Sequence, residues 1–533
     1  MKQASLLLLL ALLGSTPAWS QLQTGSRIAV AQTDAGQVRG CISGGIYTYK
    51  GIPYAEAGRF EAPRKPKPWD GVRSSMTYGP VAPLLDPTTS VQDESEFVFN
   101  HSWGYTSEDC MRLNVWSPGI ADGRKRPVLF WIHGGGFTAG SSQELPSYDG
   151  ENLARTGDVV VVSINHRLNI LGYLDLSAYG EKYRYSANLS ILDMRAALEW
   201  VQANIANFGG DPGNVTIFGQ SGGGAKVNML MAMPSARGLF HKAINQSGSF
   251  RVTMPDKQLT QAIGAEVLKE LGIAPAEADR IQTVPFAELS AAGKRALATV
   301  AERMKAEGKP LPGFGLSWGP SRDGDLLPYD AGSPEALALS KDIPLLIGTV
   351  KNEFMASLYA GMTDASEADV QAFLSKRYGD KTDAYVAAVK KAYPRDTRPS
   401  DLMDVDLLFR PGAVAQADAK AALAGGAPVY LYMFTWQSPV MDGKYKATHC
   451  MELPFVFNNI ARCQEMTGGG KDAYKLAAKV SAAWVRFART GNPAHKGLPA
   501  WPAYTASNGA NMIFDHTCEV RSHFDRELLD LMK

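Results

Sequence analysis

The amino-acid sequence predicts an α/β fold built on a large, mostly parallel central sheet flanked by helices. Short apolar runs rich in β-forming residues recur along the chain, and helical patterns separate them. Strands that are apolar along their whole length are buried on both faces, which is typical of parallel sheets covered by helices. The predicted strands are 127–132, 159–164, 215–218, 344–347 and 428–434.

The segments between these strands have the periodicity of helices. Met194, Leu198, Val201 and Ile205 recur at the spacing of one helix face, and the FGGDPG stretch that follows marks the end of that helix. Two longer segments, about 256–311 and about 364–424, are rich in Ala, Glu and Lys and contain no predicted strand. We interpret both as helical insertions over the sheet.

Composition is that of a globular protein, and the charge balance excludes a nucleic-acid binder. The chain has 533 residues, 45% of them hydrophobic and 20% charged. Lys and Arg number 54 against 53 Asp and Glu, a formal net charge of +1, so the basic surface that nucleic acids require is missing. Because a large open sheet with insertions can occupy this length, we expect residues 21–533 to form a single domain.

Residues 1–20 are predicted to be a secretory signal peptide. An apolar run at 6–13 follows Lys2, and the small residues Ala18 and Ser20, on either side of Trp19, suit cleavage after Ser20. The run is too short to span a bilayer, so no membrane span is expected in the mature chain. We therefore expect a secreted or periplasmic protein.

The cysteines indicate neither a disulfide scaffold nor a metal site. Five cysteines occur in the chain, and no C-x-x-C or H-E-x-x-H spacing accompanies them. We expect no metal and no cofactor. Cys450 and Cys463 are near enough in sequence to close a small loop, and we predict a disulfide between them.

The strongest chemical signal is the GQSGGG segment at 219–224. It lies between a predicted strand and an apolar helical stretch, which is the context of a nucleophile elbow with Ser221 at its tip. A nearby helix N-terminus favours developing negative charge. We therefore predict that Ser221 is a nucleophile.

A second glycine cluster, HGGGF at 133–137, directly follows the predicted strand 127–132. Such HGGG loops supply backbone N–H donors to the oxyanion in esterases. We assign the oxyanion hole to the N–H groups of Gly135, Gly136 and Gly222, the last being the residue after the nucleophile.

The general base and its acid must follow Ser221 in the order typical of this architecture. Four histidines follow Ser221 far enough along the chain to leave room for an intervening acid. His449 lies in a loop after the 428–434 strand, a position that suits a general base. His495, His516 and His523 lie in the polar C-terminal part of the sequence. Glu353 follows the 344–347 strand at the edge where open α/β sheets place their sites. From position alone, Glu353 is one candidate acid among several.

The chain resembles the type-B carboxylesterases, the α/β-hydrolase family that includes the cholinesterases and bacterial p-nitrobenzyl esterases. The resemblance covers nearly all of residues 21–533. It implies the α/β-hydrolase fold, with the insertions forming a cap and gorge, and a triad of Ser221, Glu353 and His449. Its motifs are KGIPYA (50–55), EDCMRLNVW (108–116), HGGGF (133–137), NHRL (165–168), FGGDP (208–212), FGQSGG (218–223), QSG (246–248), GTVKNE (348–353) and HCMELPFVF (449–457).

Two residues at the elbow depart from the family pattern. Most relatives have Glu before the serine and Ala after it, where this chain has Gln220 and Gly222. Neither change removes a catalytic atom, because the donor at position 222 is a backbone N–H. Three of the four N-x-S/T sequons fall inside motifs that should be buried, which favours a bacterial-type member.

The predicted function is that of an exported serine carboxylic-ester hydrolase that forms an acyl-enzyme and acts on a small-molecule ester. One alternative is a catalytically inactive, cholinesterase-like binding module. A second alternative is an amidase or peptidase that uses the same triad. The sequence predicts no nucleic-acid partner and gives no prediction of the oligomeric state.

Overall fold

The computed structural model describes residues 21–85, 94–250, 253–311 and 315–533. The predicted signal peptide, residues 1–20, lies outside this range. Fourteen strands occur in the described residues: β1 (Val30–Gln32), β2 (Gln37–Arg39), β3 (Cys41–Ser43), β4 (Ile46–Pro53), β5 (Val72–Ser74), β6 (Arg112–Ser117), β7 (Arg126–Ile132), β8 (Val160–Ile164), β9 (Gly210–Gln220), β10 (Lys242–Gln246), β11 (Leu345–Val350), β12 (Val429–Phe434), β13 (Ala510–Phe514) and β14 (Glu519–Ser522).

Eleven of these strands form the main sheet, in the order β14-β13-β12-β11-β10-β9-β7-β8-β6-β4-β3. The strands from β13 to β8 pair in parallel. Antiparallel pairs add β14 at one edge and β6, β4 and β3 at the other. A separate small sheet has the order β1-β2-β5. The prediction of a large, mostly parallel sheet is confirmed.

Helices connect the parallel strands and cover the sheet. The α-helices are α1 (Ser95–Phe99), α2 (Glu151–Gly157), α3 (Asn169–Tyr173), α4 (Leu189–Asn204), α5 (Gly222–Met231), α6 (Lys257–Glu270), α7 (Phe286–Ala306), α8 (Pro334–Leu339), α9 (Ala356–Tyr359), α10 (Glu367–Tyr378), α11 (Thr382–Ala392), α12 (Arg410–Ala421), α13 (Leu453–Val456), α14 (Gln464–Thr467), α15 (Lys471–Thr490) and α16 (Arg526–Leu531). The segment 256–311 contains α6 and α7, and the segment 364–424 contains α10, α11 and α12. No helix in the described part of the chain is long and apolar enough to cross a membrane.

Two large apolar cores lie on opposite faces of the sheet, because successive side chains of a strand point to opposite sides. In β7, Phe130 and Ile132 join the core that contains Leu198 of α4, here called the α4-side core. Trp131, between them in the sequence, joins the core that contains Leu476 of α15, here called the α15-side core. Burial on both faces explains why β7 is apolar at nearly every position.

The predicted disulfide is not formed. All five cysteines lie in the described residues, and each is a free thiol. Cys450 directs its Sγ at Gln220, whose Oε1 accepts a hydrogen bond from it at 3.2 Å. Cys463 instead packs in the α15-side core next to α14. Closeness in sequence therefore did not bring the two sulfur atoms together.

Candidate active site

Ser221 occupies a sharp turn between β9 and α5. Its backbone angles, φ 56° and ψ −124°, lie in a region that non-glycine residues rarely adopt. The turn is held because the N–H of Ser221 donates to the carbonyl of Gln246 at 2.8 Å, and its own carbonyl accepts from Ala225 at 3.0 Å. The side chain is therefore presented at the carboxyl end of β9 and at the N-terminus of α5, as an elbow requires.

Close backbone approaches explain the glycines on either side of Ser221. A Cβ atom at Gly223 would lie 2.1 Å from the carbonyl oxygen of Ile132, and one at Gly219 would lie 2.5 Å from the carbonyl carbon of Gly223. Neither position has room for a side chain. The glycine pattern that predicted the elbow therefore reflects the contact between α5 and the end of β7.

The three predicted oxyanion donors lie next to one another. Gly135 and Gly136 have φ values of 76° and 63°, which favour glycine. A Cβ atom at Gly222 would lie 2.1 Å from the carbonyl oxygen of Gly136, so the two backbones are in direct contact. Among the described residues, none of the three N–H groups donates to another protein group. All three remain available to hold a negatively charged oxygen.

His449 and Glu353 form a hydrogen-bonded pair. Nδ1 of His449 contacts Oε2 of Glu353, and the backbone N–H of His449 donates to the Glu353 carbonyl at 3.0 Å. The other carboxylate oxygen, Oε1, accepts from the N–H of Val350 at 3.1 Å. Because an ionised carboxylate can only accept, Nδ1 of His449 carries the proton and Nε2 is the atom left to act as a base.

Two aromatic rings stack on the imidazole of His449. The Phe354 ring centroid lies 4.8 Å from that of His449, and the Phe409 centroid lies 5.3 Å away, each at an interplanar angle of 29°. Nε2 of Gln220 lies 3.3 Å from Nε2 of His449. The imidazole is thus held in place by its ring neighbours as well as by Glu353.

Carboxylates around His449 favour its charged form. Burial lowers the pKa of His449, but the negative charge and hydrogen bond of Glu353, with Glu452 and Asp406 further off, raise it above its ordinary value. Burial, together with the charge of Glu353, raises the pKa of Glu452 to about 7 and that of Asp406 to about 7. An imidazolium formed at His449 is therefore stabilised by its surroundings.

Ser221 and His449 line one cavity of about 980 Å³ together with Gly135 and Gly136. No hydrogen bond between Ser221 and His449 occurs in the described structure. Catalytic hydrogen bonds are often long before substrate binds. Several aromatic side chains line the same cavity: Phe99, Trp103, Tyr148, Phe354, Tyr359 and Tyr445.

The described residues hold no group of three or more His, Cys, Asp or Glu that could bind a metal ion.

The structure brings together all six site residues predicted from the sequence. Glu353 lies behind His449 rather than on the cavity wall, and the rival histidines at positions 495, 516 and 523 are absent from this cavity. Sequence reasoning missed Phe409, Asp406 and two fully or almost fully buried charged residues, Lys226 and Glu144. None of these residues belongs to a motif that signals chemistry.

Comparison with known proteins agrees with this geometry. The profile of the carboxylesterase family matches residues 27–531. The para-nitrobenzyl esterase of Bacillus subtilis (strain 168) is 36% identical over 513 residues, covering 93% of this chain and 97% of that protein. The phenmedipham hydrolase of Pseudarthrobacter oxydans is 34% identical over 502 residues, covering 91% and 94%.

Solved structures show the same similarity. An esterase from Clostridium hathewayi, described as able to hydrolyse aliphatic aromatic polyesters, superposes with a TM-score of 0.84 at 40% identity, covering 96% of this chain and 99% of that one. A thermophilic PNB esterase superposes with a TM-score of 0.74 at 35% identity, covering 95% and 99%. The molecule is thus an α/β-hydrolase with the features of a carboxylic-ester hydrolase. The chain belongs to the carboxylesterase family, which confirms the resemblance read from its motifs.

Proposed function

We propose that this protein hydrolyses carboxylic esters through an acyl-enzyme, with Ser221 as nucleophile, His449 as general base and Glu353 as the acid that orients it. The observation that carries the proposal is the contact between Glu353 and Nδ1 of His449, because the His449 ring lines the same cavity as Ser221. It leaves Nε2 of His449 without a proton and therefore able to accept one inside that cavity, where the amide Nε2 of Gln220 lies 3.3 Å from it.

The reaction proceeds in two halves. Oγ of Ser221 attacks the ester carbonyl carbon while Nε2 of His449 takes the hydroxyl proton, and the same proton then passes to the oxygen of the departing alcohol. A water molecule next loses a proton to Nε2 of His449 and attacks the acyl carbon. The bond from that carbon to Oγ of Ser221 then breaks, His449 returns the proton to Oγ, and the carboxylic acid is released. Glu353 stabilises the imidazolium in both halves without accepting its proton.

The N–H groups of Gly135, Gly136 and Gly222 bind the oxyanion that forms at each attack. They are fixed before the substrate arrives, because the backbones of Gly222 and Gly136 are in contact. The loss of one such donor typically lowers turnover by about 10²–10³-fold. The N-terminus of α5, which begins at Gly222, adds a favourable field at the same point.

Hydrolysis of p-nitrophenyl esters, from acetate to decanoate, tests this proposal. We expect turnover by the wild type with an optimum in acyl chain length, and a loss of about 10⁴-fold or more for Ser221→Ala. Ser235→Ala is the matched control, since Ser235 is an exposed serine just beyond the same helix. An active Ser221→Ala variant would overturn the assignment.

The same assay separates the alternatives. A folded wild type that hydrolyses none of these esters would favour the inactive binding module. Comparison of an ester with the anilide of the same acyl group distinguishes an esterase from an amidase, because an amine is the poorer leaving group and needs a stronger acid. We expect ester turnover to exceed anilide turnover by orders of magnitude.

We also propose that the protein is exported and cleaved after Ser20. The support is the sequence pattern alone: Lys2, the apolar run at 6–13 and the small residues Ala18 and Ser20. Expression in a bacterial host followed by fractionation should place the activity outside the cytoplasm, with Gln21 as the new N-terminus. Leu9→Arg, which interrupts the apolar run, should retain the uncleaved chain inside the cell; export unaffected by this change would contradict the proposal.

A further inference from the structure

A buried lysine lies under the loop that carries the proposed oxyanion donors. Lys226 belongs to α5, little more than one turn after Ser221, and its side chain is completely buried. Its Nζ donates to the carbonyl of His133 at 3.2 Å and lies 3.4 Å from the carbonyl of Gly134. No carboxylate lies within salt-bridge distance of it in the described structure. The ammonium group is therefore directed at two backbone carbonyls.

The position of these carbonyls connects Lys226 to the oxyanion hole. The carbonyl of Gly134 and the N–H of Gly135 belong to one peptide group. A positive charge at the oxygen end of a peptide draws electron density from its N–H and makes that N–H a stronger donor, as hydrogen bonds in a chain polarise one another. The same contact fixes the direction in which the Gly135 N–H points.

Two histidines complete the surroundings of Lys226. Nδ1 of His133 lies 3.1 Å from the carbonyl oxygen of Gly134, which can only accept, so Nδ1 carries the ring proton. The ring of His166 stacks on that of His133 with centroids 4.7 Å apart. Burial and the charge of Lys226 lower the pKa of both histidines. Both rings are therefore neutral, and Lys226 is the cation beneath this loop.

We propose that Lys226 is a positioning residue for catalysis, which orients and polarises the Gly134–Gly135 peptide so that its N–H binds the oxyanion more strongly than an ordinary amide would. This inference rests on the proposed function, because it concerns the same oxyanion hole. A role in stability alone explains the residue poorly, since a buried ammonium without a contacting carboxylate is costly. The groups that contact its Nζ in the described structure are the carbonyls of His133 and Gly134, which belong to the site, while Glu144 acts from further away.

The charge of Lys226 also depends on pH. Burial lowers the pKa of Lys226 to about 7, although Glu144 opposes that fall. Burial in turn raises the pKa of Glu144 to about 7. A lysine loses its positive charge as the pH rises through its pKa, so the polarisation of the Gly134–Gly135 peptide should weaken above about pH 7. Glu144 becomes ionised in the same pH range and makes this loss of charge more gradual, whereas His133 and His166 contribute no change because both stay neutral.

Lys226→Met tests the inference, since methionine keeps most of the side-chain volume and removes the charge. The matched control is Lys420→Met: Lys420 is also buried, and its Nζ donates to the carbonyl of Ser340 at 2.6 Å, away from the catalytic cavity. Rates are expressed per active site after titration with a fluorophosphonate. This normalisation removes any difference in the folded fraction.

For Lys226→Met we expect kcat to fall about tenfold with KM within twofold, because the oxyanion exists only in the transition state. Inhibition by a trifluoromethyl ketone, whose adduct with Ser221 carries an oxyanion, should weaken by the same factor. The ratio of wild-type to variant kcat should shrink above about pH 7. Lys420→Met should keep the wild-type kcat per site.

A Lys226→Met variant with wild-type kcat per site and unchanged inhibition would overturn the inference. If Lys226→Met does not fold, Lys226→Gln, which keeps a donor without the charge, is measured by the same three readouts, and unchanged values again overturn it. A wild type inactive on every ester would instead refute the proposed function. The two failures are therefore distinguishable.

Discussion

At the scale of single residues, the ionisation of His449 sets the acid limit of activity. His449 must be neutral to accept the proton of Ser221, and the surrounding carboxylates raise its pKa above the ordinary value near 6.5. On its acid side, activity should therefore be lost as the pH falls through a midpoint above about 6.5, where His449 takes up a proton. The pH profile of kcat/KM for a p-nitrophenyl ester measures that midpoint.

Glu452→Gln tests the cause of this shift. Glu452 lies in the buried carboxylate group around His449, and its Oε1 accepts a hydrogen bond from Nε2 of Gln246 at 3.0 Å. Removal of its charge should move the acid midpoint to lower pH by roughly half a unit, since Glu452 is itself only partly ionised there. The control Glu367→Gln, at an exposed position of α10, should leave the profile unchanged. A midpoint that moves upward in Glu452→Gln would contradict this electrostatic explanation.

The residues of the site differ in how far sequence alone could predict them. Ser221 and the glycines were predictable because one local turn imposes their types, and their neighbours in the sequence show it. Glu353 became a firm choice only through the family resemblance, because its partner His449 is 96 positions away. Lys226 had no signal: it looks like one polar residue on a helix, and only the fold shows its contact with the Gly134 carbonyl.

At the scale of secondary-structure elements, the junction of β9 and α5 tolerates no side chain at position 223. Gly223→Ala places a Cβ atom 2.1 Å from the carbonyl oxygen of Ile132, so the helix must move away from β7. We expect a loss of at least about 1–3 kcal/mol in the free energy of unfolding, as for other overpacked sites. Activity should fall sharply, because Ser221 moves with the helix.

The control for this prediction is Gly213→Ala in the same strand. A Cβ atom there would meet only the carboxylate of Asp211, at 3.2 Å, and Gly213 is exposed. Urea denaturation and kcat should both remain close to wild type. Equal effects of the two alanines on kcat would mean that the contact with Ile132 does not hold the elbow in place.

The apolar pattern identified five of the fourteen strands in the described residues: β7, β8, β9, β11 and β12. Among the strands it missed, β10 has a clear physical reason, because its sequence KAINQ contains three polar residues. Gln246 is nevertheless buried, because its amide donates to Glu452 at 3.0 Å and accepts from Trp484 Nε1 at 3.1 Å. These partners lie more than 200 positions along the chain, so hydrophobic periodicity cannot detect this strand.

At the scale of the whole molecule, the sheet joins the two cores, since each parallel strand from β12 to β8 in the sheet order contributes side chains to both. Leu198 of α4 is fully buried in one core, and Leu476 of α15 is almost fully buried in the other. In β7, Phe130 and Trp131 are adjacent in the sequence but belong to different cores. A disturbance of either core therefore acts on the same strands, which is the physical basis for expecting a single cooperative domain.

Leu198→Ala and Leu476→Ala test this expectation from the two sides of the sheet. Each substitution removes buried methyl groups and should lower the free energy of unfolding by about 2–5 kcal/mol. If residues 21–533 form one domain, each variant should shift a single urea transition, with tryptophan fluorescence, far-ultraviolet circular dichroism and residual esterase activity changing together. Separate domains predict a different result: two transitions, of which each leucine shifts only one. The comparison of probes in both variants decides between these outcomes. We expect the single transition, because two cores that share every central strand cannot unfold one after the other.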